Sequence, residues 1–230
     1  MKIGGLQKLT LVDYPGKVAA TVFLIGCNFK CGFCHNPELV NWSGEQNEIN
    51  EKDFFEFLKG KEGLIEGACI TGGEPTIYPD LIDFVKKIKD MGFLIKLDTN
   101  GSNPEAISKL VKEGLVDFIA MDIKTSLEKY GQAVNVRIDT KNIEQSVELI
   151  KNSGIDYEFR TTVVPGLVEK EDIEKIGRWL KGVKKIALQQ FRNKKVLDKN
   201  FEKVKPYADE TLKEFGKILK KYIGEVELRL

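Results

Sequence analysis

The chain has 230 residues, 42% of them hydrophobic, with 36 basic residues against 35 acidic ones and a formal net charge of +1. That length can bury one sizeable core. The even balance excludes an electrostatic nucleic-acid binder, because no basic arm or stripe stands apart from its acids.

The opening Met1-Lys-Ile-Gly-Gly has no apolar stretch of the kind a secretion signal needs, and no uninterrupted apolar run approaches about 18 residues. The expectation is a cytoplasmic chain with no membrane span. Residues 1–17 read as a turn-rich leading segment, in which Thr10-Leu-Val-Asp13-Tyr14-Pro15-Gly16 is a turn set by Pro and Gly. The β-branched run Val18–Ile25 then predicts a buried strand, which ends in the loop Gly26–Pro37.

That loop holds Cys27, Cys31 and Cys34, three of the chain's four cysteines, and the single histidine, His35, follows directly. Cysteines this close, without a secretory context, read as metal ligands, and three thiols cannot pair off among themselves. A structural zinc takes four ligands, usually from two separated knuckles. Only one cluster is present here, and His35 adjoins Cys34, which places it poorly as a fourth ligand. A four-iron cubane is usually held by four cysteines, so three would leave one iron open. The iron–sulfur reading is adopted, with zinc or inert thiols as the alternative.

Downstream, Ser43–Asn50 reads as a polar loop and Glu51–Leu58 as a helix capped by Asn50. The short strand Ala68–Thr71 carries Cys69, read as a buried structural thiol. It runs into Gly72-Gly73-Glu74-Pro75, where two glycines let the backbone approach a ligand closely. Helices and strands then alternate: helix Leu81–Met91, strand Phe93–Leu97, helix Pro104–Glu113 and strand Phe118–Met121. Helix Asn142–Asn152, strand Tyr157–Val164, helix Lys170–Leu180 and strand Lys185–Gln189 follow. Each strand hands polar residues to the loop at its C-terminal end, where parallel sheets gather their ligand sites. Asp98 and Asp122, at two such ends, either cap the next helix or line a site. Arg160 lies inside an otherwise apolar strand and should be paired or face a polar cavity. The C-terminal part, about 206–230, adds helix Asp209–Ile223 and strand Glu225–Leu230. The fold class expected is α/β, a partial (βα)6 barrel with a parallel sheet, in a single domain over 1–230.

The spacing Cys27-x3-Cys31-x-Phe33-Cys34, with an aromatic before the last cysteine, resembles the radical S-adenosylmethionine (SAM) superfamily. The resemblance implies a [4Fe-4S] cluster on Cys27, Cys31 and Cys34, with SAM on the open iron and its adenine against the Phe33–His35 backbone. Gly72-Gly73-Glu74 resembles the superfamily's second signature, which implies that Gly72, Gly73 and Glu74 bind the methionyl ammonium. In the glycyl-radical-enzyme activases, positions matching Asp98-Thr99-Asn100 and Asp122-x-Lys124 lie beside SAM, and the two Asp help to hold a monovalent cation. Lys124 suits the methionyl carboxylate, and Arg160 the carboxylate or ribose.

Thr10–Gly16 resembles the activase segment Thr-x-x-Asp-x-Pro-Gly, which faces the target peptide. Asp13 is therefore a candidate peptide contact beside its reading as a turn, although most such activases carry Gly at the place of Tyr14. Gln190-Phe191-Arg192-Asn193 stands where related activases carry a histidine, which makes Gln190 a candidate nucleoside contact. The leading segment from Leu6 to Gly16 and the tail Cys34-His35-Asn36-Pro37 are similar to those of the anaerobic ribonucleoside-triphosphate reductase activating proteins. The partners implied are a glycyl radical enzyme and a low-potential electron donor such as flavodoxin or ferredoxin. The alternative is a small-molecule radical SAM enzyme such as a 7-carboxy-7-deazaguanine synthase. A non-catalytic iron–sulfur or zinc module is a third class, but it would have no need of Gly72-Gly73-Glu74.

Overall fold

The computed structural model describes residues 1–44 and 48–230, so part of the loop expected over Ser43–Asn50 lies outside the described residues. The chain divides into two compact units. The first comprises Met1–Asn28, Glu38–Ala120 and Ser153–Asp156; the second comprises Phe29–Pro37, Met121–Asn152 and Tyr157–Leu230.

In the first unit, β1 (Ile3–Thr10) runs antiparallel to β2 (Ala19–Leu24), with Ile3 opposite Leu24 and Thr10 opposite Ala19. The short helix α1 (Pro37–Val40) and helix α2 (Glu51–Lys59) lead to β3 (Gly67–Gly72), which pairs parallel with β2. After α3 (Leu81–Asp90), β4 (Leu94–Thr99) pairs parallel with β3, and α4 (Pro104–Lys112) follows. Alternation along the strands puts Ala68, Ile70, Ile95 and Leu97 in the core. Phe54 of α2 and Phe84 of α3 are also buried, stacked with ring centroids 5.4 Å apart. The caps expected from sequence form: Asn50 accepts the Lys52 N–H at 2.8 Å, and Pro104 opens α4 behind Asn103.

β1 was not expected as a strand. Its two glycines and mostly exposed second half give neither an alternating pattern nor an apolar run. Because β1 turns back along β2, Asp13 sits near the N-terminal end of β2, and the cysteine loop leaves from its C-terminal end. Six residues of strand, about 17 Å, separate those two ends.

β5 (Phe118–Asp122) carries the chain from one unit to the other. The second unit continues with α5 (Tyr130–Val134), α6 (Thr140–Lys151), β6 (Asp156–Val163), α7 (Lys170–Trp179), β7 (Lys185–Gln190), α8 (Asp209–Leu219) and β8 (Glu225–Arg229). β6, β7 and β8 are parallel, with Arg160 opposite Ala187, Thr162 opposite Gln189, and Gln189 opposite Arg229. Arg160, Thr162, Gln189, Glu227 and Arg229 therefore share one face. The face is ion-paired: Arg229 grips the buried Glu158 carboxylate with two guanidinium nitrogens at 3.1 and 2.7 Å, and Lys185 reaches Glu227 at 2.8 Å. Among the described residues, no helix is long and apolar enough to cross a membrane.

The start of α7 is fixed by a buried acid. Asp172 accepts from the Ser126 hydroxyl at 2.7 Å, the Lys129 ammonium at 2.7 Å and the Glu169 N–H at 3.0 Å. Burial alone would raise its pKa, but those donors outweigh it and hold the carboxyl below the usual range. A depressed folded pKa contributes stability that is complete above about pH 4 and lost as pH falls through the folded value. Asp172→Asn should cost about 1–3 kcal/mol at neutral pH and flatten the acid limb of the stability curve, as measured by urea unfolding between pH 2 and 7.

Candidate functional site

In the first unit, the site is built where β2 and β3 end together, with Leu24 opposite Gly72. The Gly73 N–H donates to the Leu24 carbonyl at 2.9 Å, and the Glu74 N–H donates to the Gly26 carbonyl at 2.8 Å. Gly72 has φ +125°, and a Cβ on it would stand 2.2 Å from the Leu24 nitrogen. A Cβ on Gly73 would stand 1.8 Å from the Gly26 oxygen. Both positions must be glycine because backbone fills the space a side chain would need, that of β2 at Gly72 and that of the Gly26–Cys27 loop at Gly73.

Glu74 is 1% exposed. Its Oε1 accepts from the Thr76 N–H (3.0 Å), the Thr76 hydroxyl (2.5 Å) and the Thr99 hydroxyl (2.7 Å), and its Oε2 accepts from the Asn100 N–H (2.6 Å). Burial raises the carboxyl's pKa above its ordinary value despite these bonds. All four donors are neutral groups. A buried carboxylate so placed favours a cationic ligand, since unpaired buried charge is costly. The donor set therefore fits an ammonium or sulfonium group.

Thr99 (3% exposed) is turned inward. It donates to Glu74 and accepts the Gly101 N–H at 3.1 Å, so it supports Glu74 directly. Asn100, named from sequence only within the Asp98-Thr99-Asn100 run, donates to Asn28 Oδ1 at 2.9 Å, and its Nδ2 lies 4.0 Å from Cys27 Sγ. Asx geometry in the Asp98-Thr99-Asn100-Gly101 run could have signalled it. Lys96 was also missed. It is 2% exposed on β4, with its ammonium bonded to the Asp98 carboxylate, 3.7 Å from Cys69 Sγ and 6.0 Å from the Phe118 ring centroid. Cys69 itself is fully buried, as expected.

At the other end of β2, Asp13 accepts the Thr21 hydroxyl at 2.7 Å, and the Asp13 N–H donates to the Thr10 hydroxyl at 3.1 Å. The turn expected there is present. Beside it, Leu9, Leu11 and Val12 are exposed.

In the second unit, the later half of the cysteine loop is held by residues some 160 positions downstream. The Cys34 N–H closes a turn onto the Cys31 carbonyl at 3.0 Å, the Leu197 N–H donates to the Cys34 carbonyl at 3.1 Å, and the Asp198 N–H donates to the Gly32 carbonyl at 2.9 Å. Phe33 is buried against Phe201 with centroids 6.1 Å apart. His35 stacks on Phe191, and its Nε2 bonds the Arg192 carbonyl at 2.8 Å. Cys27, Cys31 and Cys34 are all free of disulfides. Three cysteines outside any disulfide on one short loop suit the iron–sulfur donor set better than a disulfide framework. Among the described residues, no group of three or more His, Cys, Asp or Glu side chains gathers as ligands of a single ion.

Asp122 accepts from Lys124 Nζ at 2.9 Å and from Arg160 Nε at 2.8 Å. Burial would raise its pKa, but Arg160 and Lys124 outweigh it and hold the carboxyl far below the usual range. Lys124 is correspondingly raised: burial opposes its charge, and Asp122 and Cys31 favour it. Two cations on one carboxylate leave the triad with a formal charge of +1, suited to an anionic group. Gln190 is held within the protein. It lies on the opposite face of β7 from the Arg160 row, its amide nitrogen donates to the Tyr207 carbonyl at 2.8 Å, and its Oε1 is buried without a partner among the described residues. Gln189 shares the face of Arg160, because consecutive strand residues point oppositely.

The expected monovalent cation fits poorly. Asp98 already holds Lys96, and Asp122 holds Lys124 and Arg160. A further unit charge about 4 Å from such an ammonium would meet about 4 kcal/mol of repulsion at an effective dielectric of about 20.

The glycine contact yields a direct test. Gly73→Ala should displace Gly26–Cys27 and lower iron and sulfide per chain after anaerobic reconstitution by at least half. Gly5→Ala, whose Cβ would meet nothing nearer than 3.5 Å, should reconstitute like the parent. Equal iron in both variants would show that the contact does not shape the loop.

Comparison with known proteins gives the kinship. The family model described as the Radical SAM superfamily matches residues 21–180. A Methanocaldococcus jannaschii protein provisionally named a glycyl-radical enzyme activating enzyme is 37% identical, over 99% of this chain and 95% of its own. The pyruvate formate-lyase-activating enzyme of Clostridium pasteurianum is 27% identical, over 80% of this chain and 78% of its own. Among solved structures, Streptococcus suis SuiB bound to precursor peptide SuiA superposes with a TM-score of 0.68 at 14% identity. That match covers 91% of this chain, which spans about half (48%) of SuiB. A domain of a pyruvate-formate lyase-activating enzyme from Bacteroides vulgatus gives a TM-score of 0.56 at 20% identity, over 71% of this chain and 98% of that domain. The expected α/β fold with a largely parallel sheet is borne out by these neighbours and by the strand pairings. The chain belongs to the Radical SAM superfamily, alongside its glycyl-radical enzyme activating enzymes.

Proposed function

We propose that this protein activates a glycyl radical enzyme by removing a hydrogen atom from a glycine of that partner. The observation that carries the reading is the likeness to a glycyl-radical enzyme activating enzyme over 99% of this chain, which takes in both the leading segment and the C-terminal part. The proposed target is an anaerobic ribonucleoside-triphosphate reductase, supported by the leading segment Leu6–Gly16 and the tail Cys34-His35-Asn36-Pro37. A flavodoxin or ferredoxin is the proposed electron donor. The setting is the cytoplasm, whose reducing poise keeps thiols available as ligands.

A [4Fe-4S] cluster, when bound and reduced, would supply the electron for reductive cleavage of SAM. The residues have separate tasks. Cys27, Cys31 and Cys34 would hold the cluster. Glu74, buried among neutral donors, accepts the methionyl ammonium, with Thr99 and Asn100 keeping its oxygens aimed. Lys124 and Arg160, in excess over Asp122, attract the methionyl carboxylate. The Phe33–His35 backbone flanks the adenine. Asp13 has one oxygen on Thr21 and can accept further donors, so it is assigned to the backbone N–H groups of the target loop. Positioning carries the specificity, because a primary carbon radical reacts with whatever hydrogen lies nearest.

Cys27→Ala, Cys31→Ala and Cys34→Ala should each abolish 5′-deoxyadenosine formation with dithionite as reductant, whereas Cys69→Ala should retain it. Loss in Cys69→Ala with retention in Cys31→Ala would overturn the ligand assignment. Asp13→Ala should keep SAM cleavage within about twofold yet lower the partner's glycyl radical at least tenfold, read by electron paramagnetic resonance from the same tube. Turnover that requires a small molecule and no protein partner would instead favour the synthase-like alternative.

A further inference from the structure

The feature of the fold that the proposed function leaves unexplained is Lys96. It sits in the run Phe93-Leu-Ile-Lys-Leu97, between Ile95 and Leu97, which are both fully buried, and it is itself 2% exposed. Its register partner on β3 is Cys69, whose sulfur lies 3.7 Å from the ammonium, and the Phe118 ring flanks the charge with its centroid 6.0 Å away. From that apolar setting the ammonium reaches the carboxylate of Asp98, two residues along the same face. A lysine stem packed this way cannot swing to solvent without emptying the space between Cys69 and Phe118.

We propose that Lys96 is a tethered cation. At Asp98 it takes the place that a bound monovalent ion would otherwise take, so SAM binding by this chain requires neither potassium nor sodium. The inference rests on the SAM-binding reading above and concerns how the carboxylate beside that ligand is neutralised. In the second unit, Asp122 is independently neutralised by protein groups, Lys124 at 2.9 Å and Arg160 at 2.8 Å. Each of the two acids that would serve a mobile ion is thus already paired with a cation from the chain. A tethered ammonium brings donors and one positive charge without a binding equilibrium of its own, whereas a mobile ion must be captured at cellular concentration. Lys96 acts through Asp98 and is a positioning residue.

The test measures SAM affinity, by anaerobic equilibrium dialysis of the cluster-loaded protein against labelled SAM, in potassium, sodium or choline chloride at one ionic strength. The unaltered protein should bind equally in all three, within about twofold. Lys96→Met should bind at least tenfold more weakly in choline and recover in potassium, and Lys96→Arg should behave like the unaltered protein. Iron content and circular dichroism verify that the variants are loaded and folded. A tenfold loss in choline by the unaltered protein would overturn the proposal, and this arm needs no variant to fold. Lys96→Met binding equally well in every salt would also overturn it, leaving the lysine a packing role. Absence of SAM binding by the loaded, unaltered protein in every salt would instead overturn the SAM reading itself, and the tethered cation with it.

Discussion

The constraint on which the first unit depends is how close two pieces of backbone come. Where β2 and β3 end, Gly72 and Gly73 lie against Leu24 and Gly26 with no room for a Cβ, and two N–H groups donate across the contact. The Gly26 carbonyl is thereby pinned one residue before the first cysteine. Glu74, next in line, is then carried inside, where Thr76, Thr99 and Asn100 clamp it. One steric requirement thus sets both the path of the cysteine loop and the depth of the acid. A side chain at either glycine would disturb both at once.

Charge placement follows a common rule in both units. Ionised groups inside are matched by partners on or near the strands: Lys96 with Asp98, Arg160 and Lys124 with Asp122, and Arg229 with Glu158. Such pairs seldom add much net stability, because desolvation offsets most of the attraction. What they provide is fixed geometry at strand ends. Glu74 departs from the rule, since its partners are neutral, and that departure is what supports its proposed role toward an external cation.

Much of this was legible in the sequence where a local pattern carried it. The βα alternation, the Asn50 cap, the buried Cys69 and the paired Arg160 follow from periodicity, capping preference and the cost of buried charge. Lys96 carried the same signal as Arg160, a cation within an apolar run, but it was not singled out. The face that Gln190 takes was not legible at all. One residue of register decides which face a side chain takes, and sequence alone did not fix where β7 ended. β1 was hidden by its glycines and its exposure. The approach of Gly72 and Gly73 to Leu24 and Gly26 is a long-range contact, invisible to any window along the chain.

The cysteine loop also has a history in time. Its later half, from Gly32 to His35, takes its hydrogen bonds and aromatic contacts from residues 191–201. During synthesis at roughly 5–20 residues per second, those partners are made many seconds after the cysteines themselves. Until then the turn lacks those long-range contacts, although the Cys34 N–H to Cys31 carbonyl bond is local and needs no later residue. The full set of contacts around Cys31 and Cys34 is accordingly available only once residues 191–201 have been made and have folded back onto the loop.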